Sequence, residues 1–303
     1  MLDELCPEKP SDILVVPHFL GAGGTPDIVP DAKGSIIGMT METGLADIYR
    51  AVMEGLTFEM AYNLEKFKKG LDDLQIHLDE KQMGQFLTYY ELLVETNKVM
   101  NLTAITEFDE VIEKHFLDSL SLCRVKDLRS LEDRPEAYRI LDLGTGAGFP
   151  GIPLKIAFPK LQIVLADSLN KRIRFLQEVI DTLGLEDVTA VHGRAEEMGR
   201  NILYREQFDL CVSRAVANLS SLSEYCIPFV KTGGAFISYK SGEVDEEATQ
   251  AKRAIYLLGG EVKDIYKFDL FDQKRSFVVI EKERKTPKAY PRKAGTPTKE
   301  PLQ

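Results

Sequence analysis

The sequence predicts an α/β protein: a mainly parallel, doubly wound sheet closed by an antiparallel hairpin, with a helical part ahead of it. Three observations carry this. From Arg139 onward, short apolar runs alternate with amphipathic helical segments, the pattern of repeated strand–helix units. The first of these runs breaks straight into glycine, "RILDLGTGAGFPGIPLKIAF", as a strand does when it turns into a ligand-binding loop. The last two, "EVKDIYKFDL" and "RSFVVIEKE", follow each other closely and read as a hairpin.

The elements follow in chain order. "ILVVP" has a short buried-strand pattern, and "HFLGAGGTPDIVPDAKG" is turn chemistry around Gly23, Gly24, Pro26 and Pro30. Leu45, Ile48, Val52, Leu56 and Met60 recur at threes and fours and predict a helix. Phe86, Leu87, Tyr90, Leu93, Val94 and Asn97 fall on one face of a second long helix that ends near "NLT". "DEVIEKHFLDSLSLC" predicts a further amphipathic helix, with Lys114, His115 and Asp118 on one side of it in a capping or packing role. Then come strands "RILDLG" and "LQIVLAD", a helix closed by Gly184, and strand "VTAVHGRAEE" with His192 at its end. Strands "FDLCVSRAV" and "GGAFISYK", helix "EEATQAKRAIYLLGG" and the hairpin complete the order. In the tail "RKTPKAYPRKAGTPTKEPLQ", Pro287, Pro291, Pro297 and Pro301 argue against a helix. It reads either as a solvated, extended end or as a basic arm along a nucleic-acid backbone.

Composition narrows the class. With 303 residues and 44% hydrophobic content, the chain can bury a sizeable core. No apolar run reaches the roughly 18 residues that span a bilayer, and "MLDELCPEKP" lacks the order of a signal peptide. Cys6, Cys123, Cys211 and Cys226 have no C-x-x-C spacing and no histidine cluster nearby. They predict reduced thiols, no metal site and a cytoplasmic location. A net charge of −10 argues against coating a polyanion over the whole surface, while leaving room for a local basic face.

The glycine cluster has two spellings. From Gly146 it reads G-x-G-x-x-G, through Gly148 and Gly151, which suggests a dinucleotide pyrophosphate. From Gly144 it reads G-x-G-x-G, through Gly146 and Gly148, which suggests a nucleoside. Pro150 and Pro153 remove N–H donors that a pyrophosphate needs at the helix start, so the second spelling is preferred and the first counted incidental. Asp142, just ahead of the glycines, suits an ammonium group; the plainer role is a strand-end acid bonded to loop amides. Asp167 ends the second strand, where an acid accepts ribose hydroxyls. In "GRAEE", Ala195 offers a small surface beside an adenine and Glu196 an acceptor for its exocyclic amine; a helix start favouring acids is the alternative. Arg214 leaves the fourth strand toward the expected reaction centre. Lys240 ends the fifth and is placed facing the same cleft, with a surface or structural role the alternative for both.

These residues together resemble the RsmG (GidB) family, the bacterial 16S rRNA guanine-N7 methyltransferases. The stretches are "NKVMNLTAI", "EKHFLDSL", "LDLGTGAGFPGIPL", "HGRAEE", "SRAVA" and "TPKAYPRKAGTPTKEPL", in family order from about Leu71 to Leu302. The family's tryptophan before "NK" is absent; Thr96 precedes Asn97 here. The resemblance implies a Rossmann-like class I methyltransferase fold and S-adenosyl-L-methionine as cofactor. It places cofactor contacts on Gly144, Phe149, Ala195, Glu196 and Arg214, and Asp167 on the ribose. It further implies methylation at N7 of one guanine, with Arg214 and Lys240 positioning the base and no general base required. Asn97, Asn101 and the tail would face the RNA. The implied partner is 16S rRNA of the small ribosomal subunit, met by a monomer with no membrane. A small-molecule methyltransferase, a non-catalytic RNA-binding assembly module and a nicotinamide oxidoreductase are the rival readings, and Pro150, Pro153 and Asp142 count against the last. Separately, "GSIIGMTMETGLADIYRAVME" resembles the second signature of the FGGY carbohydrate kinases, without the rest of a kinase. The expected organisation is a non-catalytic kinase-like fragment (1–68), a helical part (69–136), a cofactor-binding core (137–284) and the basic tail (285–303).

Overall fold

The computed structural model describes residues 10–16, 33–132, 134–214 and 217–302. The glycine-rich turn at Gly23–Gly24, and with it Cys6 and His18, lies outside the described residues. The chain divides into two compact units, one reaching to Gln75 and including Glu107–Ile112, the other made of the remainder.

In the first unit, β1 (Leu14–Val16) pairs antiparallel with β2 (Ser35–Ile37), and α1 (Leu45–Asp73) follows. Asp47 Oδ2 accepts from the Gly44 N–H at 2.8 Å and starts the helix. Ile13, Val15 and Ala51 form a small core, with Val52 packed against it. A Cβ at Gly55 would meet the Val15 carbonyl oxygen at 2.6 Å, so glycine lets β1 lie directly on α1. The predicted apolar stripe is only partly used: Leu45, Leu56 and Met60 are 70%, 48% and 50% exposed. The short α3 (Phe108–Val111) belongs to this unit.

The second unit opens with α2 (Glu80–Met100), capped by Asp79, whose side chain accepts from the Gln82 N–H at 2.7 Å. Its buried residues are Phe86, Tyr89 and Leu93, so the inward face is rotated from the predicted one and carries Tyr89 in place of Tyr90. Polar side chains fix it to the domain behind. Gln82 donates to the Ile156 carbonyl and Gln85 to the Leu183 carbonyl, both at 2.8 Å, and the Tyr89 hydroxyl donates to the Ala147 carbonyl at 2.6 Å. The amphipathic helix expected over "DEVIEKHFLDSLSLC" is broken up. A π-helical turn (Ile112–Leu117) leads into α4 (Asp118–Leu120) and a 3-10 turn (Ser121–Arg124), with α5 (Leu128–Glu132) beyond. The wider turn changes the register of the side chains, and such turns concentrate where function needs it.

The sheet is as predicted. Its elements are β3 (Arg139–Leu143), α6 (Gly151–Ala157), β4 (Gln162–Asp167), α7 (Asn170–Leu183), β5 (Val188–His192), α8 (Ala195–Met198), β6 (Phe208–Ser213), α9 (Leu219–Cys226), β7 (Val230–Ser241), α10 (Asp245–Leu257), β8 (Gly260–Leu270) and β9 (Gln273–Lys282). The seven strands stand in the order β5-β4-β3-β6-β7-β9-β8. The first five are parallel, and β9 runs antiparallel to both β7 and β8. The order reverses between β3 and β6, which opens a crevice at the carboxyl ends of those strands. Phe175, Leu176, Val179, Ile180 and Leu183 form the buried stripe of α7, which closes on Gly184 in the left-handed conformation. A core cluster including Leu141, Phe208, Phe229, Phe236 and Val278 backs the other side. Each such side chain stabilises the fold by roughly 1.5–3 kcal/mol when fully buried.

The tail departs from expectation. It is neither free nor helix-less: α11 (Thr296–Lys299) forms with Pro297 in its first turn, where proline costs no hydrogen bond. Pro297 and Thr286 are buried. Arg205 donates to the carbonyls of Thr286 and Tyr290 and draws the segment back onto the domain. Cys123, Cys211 and Cys226 are free thiols. Among the described residues, no helix is long and apolar enough to cross a membrane.

Candidate active site

The loop after β3 is shaped by both glycine spellings at once. Gly144, Gly146 and Gly148 all have positive φ (73°, 64° and 109°), which side-chain-bearing residues rarely adopt. Gly151 has no such φ, yet it is not incidental. A Cβ there would overlap Leu165 Cδ2 and come within 2.9 Å of Asp142 Oδ2, so this glycine lets α6 press onto the sheet. The G-x-G-x-x-G pattern therefore records helix–strand packing here rather than a phosphate site.

Asp142 is corrected. It is fully buried beneath the loop and does not line the cavity. Its Oδ2 accepts from the Thr145 hydroxyl at 2.6 Å and the Gly151 N–H at 2.8 Å. Burial pushes its pKa up to about 7, against the pull of those two donors. The loop, not a ligand ammonium, is its partner. Gly148 is likewise a packing position, with Tyr89, Ile152 and Leu176 where a Cβ would stand.

The crevice holds a cavity of about 580 Å³, lined by Gly144, Gly146, Phe149, Asp167, Ala195, Glu196 and Arg214 among others. Seven of the predicted residues thus converge there from four separate strand ends. Asp167 Oδ2 accepts from the Gly146 N–H at 3.0 Å and from Arg172 at 3.2 Å, and Oδ1 accepts from the Leu169 N–H at 2.9 Å. Glu196 is buried, and its Oε1 accepts from the Gly295 N–H at 2.8 Å.

Arg214 is held from three sides. Its Nη1 donates to Asp118 Oδ2 and to the Lys114 carbonyl, both at 2.9 Å, and its Nη2 lies 3.1 Å from His115 Nδ1. The guanidinium also sits 5.1 Å from the centroid of the Phe149 ring, on which His115 stacks at 4.4 Å. Lys114, His115 and Asp118 do act together, through the π-helical turn and on Arg214. Burial, assisted by the Arg214 charge, lowers the His115 pKa to about 3, so the imidazole is neutral. Arg214 only donates, so Nδ1 accepts, and the ring proton is on Nε2, 2.9 Å from Thr103 Oγ1. Asp118 Oδ1 accepts in turn from Arg275 Nε at 2.7 Å.

Lys240 is also corrected. It does not line the cavity but an adjoining groove, where it donates to the Ala217 carbonyl and to Glu247 Oε1, each at 2.8 Å. β7 lies one strand beyond β6, which carries the chain end of Lys240 past the crevice. Arg214 belongs to both, forming a wall shared by the cavity and the groove. Asn97, expected on an RNA face, instead accepts from the N–H groups of Leu102 (2.6 Å) and Thr103 (2.9 Å) and sets two lining residues. Asn101 is the left-handed C-cap of α2. In "SRAVA", Ala215 and Val216 lie outside the described residues.

The residues present fit S-adenosylmethionine. A Cβ at Gly146 would meet no protein atom within 4 Å, so the glycine leaves open space at the cavity wall. A carboxylate offers about four acceptor positions, and Asp167 has protein donors at three. Sequence reasoning missed Thr145 and Arg172, which set the two acids, and Tyr89, which holds the loop. It also missed Tyr225, Gly295 and Thr298 of the cavity wall. The Arg172 signal was present, since the first turn of the helix after Asp167 points back at the strand end.

Comparison with known proteins gives one family for most of the chain. The family described as "rRNA small subunit methyltransferase G" matches residues 82–278. The ribosomal RNA small subunit methyltransferase G of Lachnoclostridium phytofermentans is 52% identical over 238 residues, covering 78% of this chain and 96% of that protein. That of Alkaliphilus metalliredigens is 52% identical over 237 residues, covering 78% and 97%. Among solved structures, TYW2 of M. jannaschii in complex with AdoMet superposes with a TM-score of 0.41 at 14% identity, over 52% of this chain and 75% of that one. The C-terminal domain of the FGGY family of carbohydrate kinases matches residues 3–80.

Proposed function

The chain belongs to the rRNA small subunit methyltransferase G family, and on that premise we propose how its cavity and groove divide the work of methylating N7 of one guanine in 16S rRNA. It is an S-adenosylmethionine-dependent methyltransferase acting on RNA of the small ribosomal subunit. The observation that carries the division of work is the shared wall at Arg214 between the glycine-loop cavity and the adjoining groove. Cofactor belongs in the first and the target base in the second, so the reacting atoms meet beside one fixed guanidinium.

When bound, the cofactor's sulfonium supplies an electrophilic methyl group, and guanine N7 brings a lone pair and no proton, so no general base is needed. What remains for the protein is alignment and electrostatics. Asp167 holds the ribose hydroxyls and Glu196 the adenine amine, with Ala195 and Phe149 packing beside them. Gly144 and Gly146 bring backbone up to the ligand. Gly148 and Asp142 act one layer below, by fixing the loop. Arg214, oriented by Asp118 and His115, faces guanine O6 or its phosphate. Lys240 supports the base from the groove. A cytoplasmic monomer is part of this proposal. The kinase-like segment has no part in this chemistry.

The test is transfer of labelled methyl from S-adenosylmethionine to 16S rRNA and to assembled small subunits, followed by nucleoside analysis. The reading expects 7-methylguanosine and no other product. Methylation of a different position, or none on either substrate, would overturn it.

A further inference from the structure

We infer that the C-terminal segment is a working part of the cofactor site, and that Arg292 is a positioning residue that sets Glu196 for the exocyclic amine of an adenine ring. The inference rests on the reading of the cavity as the cofactor site. Glu224, on α9, is completely buried. Its carboxylate accepts from Arg292 through the backbone N–H at 2.7 Å, Nε at 3.0 Å and Nη2 at 2.7 Å, a forked pairing that only arginine can make. The same Nη2 donates to the Glu300 carbonyl at 2.7 Å, so one guanidinium closes residues 292–300 into a loop around α11.

That loop reaches the cavity. Gly295 and Thr298 line it, together with Tyr225. The Tyr225 and Thr298 hydroxyls lie 2.7 Å apart, and Ser221 donates to the Pro297 carbonyl at 2.6 Å, so α9 carries the loop along its length. Gly295, at φ 80°, turns its N–H onto Glu196 Oε1 at 2.8 Å. This donor occupies one oxygen of a buried carboxylate and fixes its plane, which leaves the other oxygen to meet an N–H donor from the ligand. An amine fits that oxygen; a ring carbonyl in its place meets a carboxylate and is repelled. The chain end therefore serves the adenine end of the cofactor rather than the RNA.

The experiment compares S-adenosylhomocysteine with S-inosylhomocysteine, which carries a carbonyl where adenine carries its amine. Binding is measured by titration calorimetry on the full chain and on Arg292→Gln and Arg292→Lys. The parent is expected to prefer the adenosyl ligand by about tenfold or more. In Arg292→Gln the preference falls to about twofold, chiefly by weaker adenosyl binding, and the inosyl affinity stays near that of the parent. Arg292→Lys keeps a charge opposite Glu224, and so the fold, but loses the fork; its preference falls between the two. A parent with no preference, or an undiminished preference in a folded Arg292 variant, would overturn the inference. A parent that binds neither ligand would instead overturn the cofactor reading on which it rests.

Discussion

Arg214 Nη2 and His115 Nδ1 stand 3.1 Å apart, and a neutral imidazole is the acceptor in that pair. A histidine is thus spent on holding an arginine still. The Nδ1 atom also lies 3.1 Å from the Lys114 carbonyl, to which it has no proton to give. The arrangement predicts that side-chain accepting power at position 115 matters, not its titration. His115→Gln, which can still accept, should keep methyl transfer within a few-fold of the parent. His115→Leu should lose about 10- to 100-fold in kcat. Single-turnover rates on both variants check this, and equal rates would show that the pairing is idle.

Asp118 receives Arg214 on one oxygen and Arg275 on the other, in a buried position. Arg214→Ala removes one of the two partners of a buried carboxylate and should cost roughly 3 kcal/mol of stability along with most methyl transfer. Arg214→Lys should restore much of the stability and little of the rate, because a point charge cannot meet three acceptors in one plane. Denaturant unfolding and transfer kinetics measured side by side separate the two effects. Full transfer by Arg214→Ala would remove the residue from the reaction centre.

Two buried groups bend the pH dependence of stability in opposite senses. His115 has a folded pKa of about 3 against an ordinary 6.5, so between those values the unfolded chain binds a proton that the folded chain refuses. Stability from this group rises with pH through that window, by up to about 1.4 kcal/mol per unit. Asp142 has a folded pKa of about 7 against an ordinary 3.8, so here the folded chain keeps a proton that the unfolded chain has released. Its contribution is complete below 3.8 and falls as pH rises toward 7. Measured by denaturant unfolding between pH 4 and 6.5, Asp142→Asn should show a steeper rise with pH than the parent, and His115→Gln a shallower rise or a fall. Curves parallel to the parent would contradict both assignments.

The glycine loop makes a paired prediction. Gly151→Ala places a methyl group against Leu165 and Asp142 and should destabilise by about 1–3 kcal/mol through overpacking. Gly146→Ala has open space but a φ of 64°, and should cost about 1–2 kcal/mol from the backbone alone. Only the second adds a group at the cavity wall, so only the second should weaken S-adenosylhomocysteine binding beyond its effect on stability. Calorimetric titration of both variants distinguishes them.

Much of this architecture was legible in the residues. Strand–helix alternation and the closing hairpin leave periodic signals, and the strand ends carrying Asp167, Glu196 and Arg214 follow from them. What stayed hidden depends on contacts distant in sequence. Nothing local says that Glu196 meets Gly295, 99 positions on, or that Glu224 awaits Arg292. Prolines in the tail speak against regular helix and suit an extended end or a basic arm, although a first-turn proline is compatible with a docked helical turn. The type of Asp142 suits a ligand ammonium as readily as loop amides. Its burial, which decides its role, is a property of the closed fold. The π-helical turn has no pattern of its own, so the face bearing His115 and Asp118 was legible but its target was not.

The central claim is that this site methylates N7 of one guanine in 16S rRNA with Arg214 at the reaction centre. It is tested most directly by mapping 7-methylguanosine in 16S rRNA from cells lacking the gene and complemented with either the parent chain or Arg214→Lys. The account predicts that one 7-methylguanosine is lost on deletion, regained with the parent and not regained with a folded, cofactor-binding Arg214→Lys. An unchanged 16S rRNA methylation pattern in the deletion strain would contradict it.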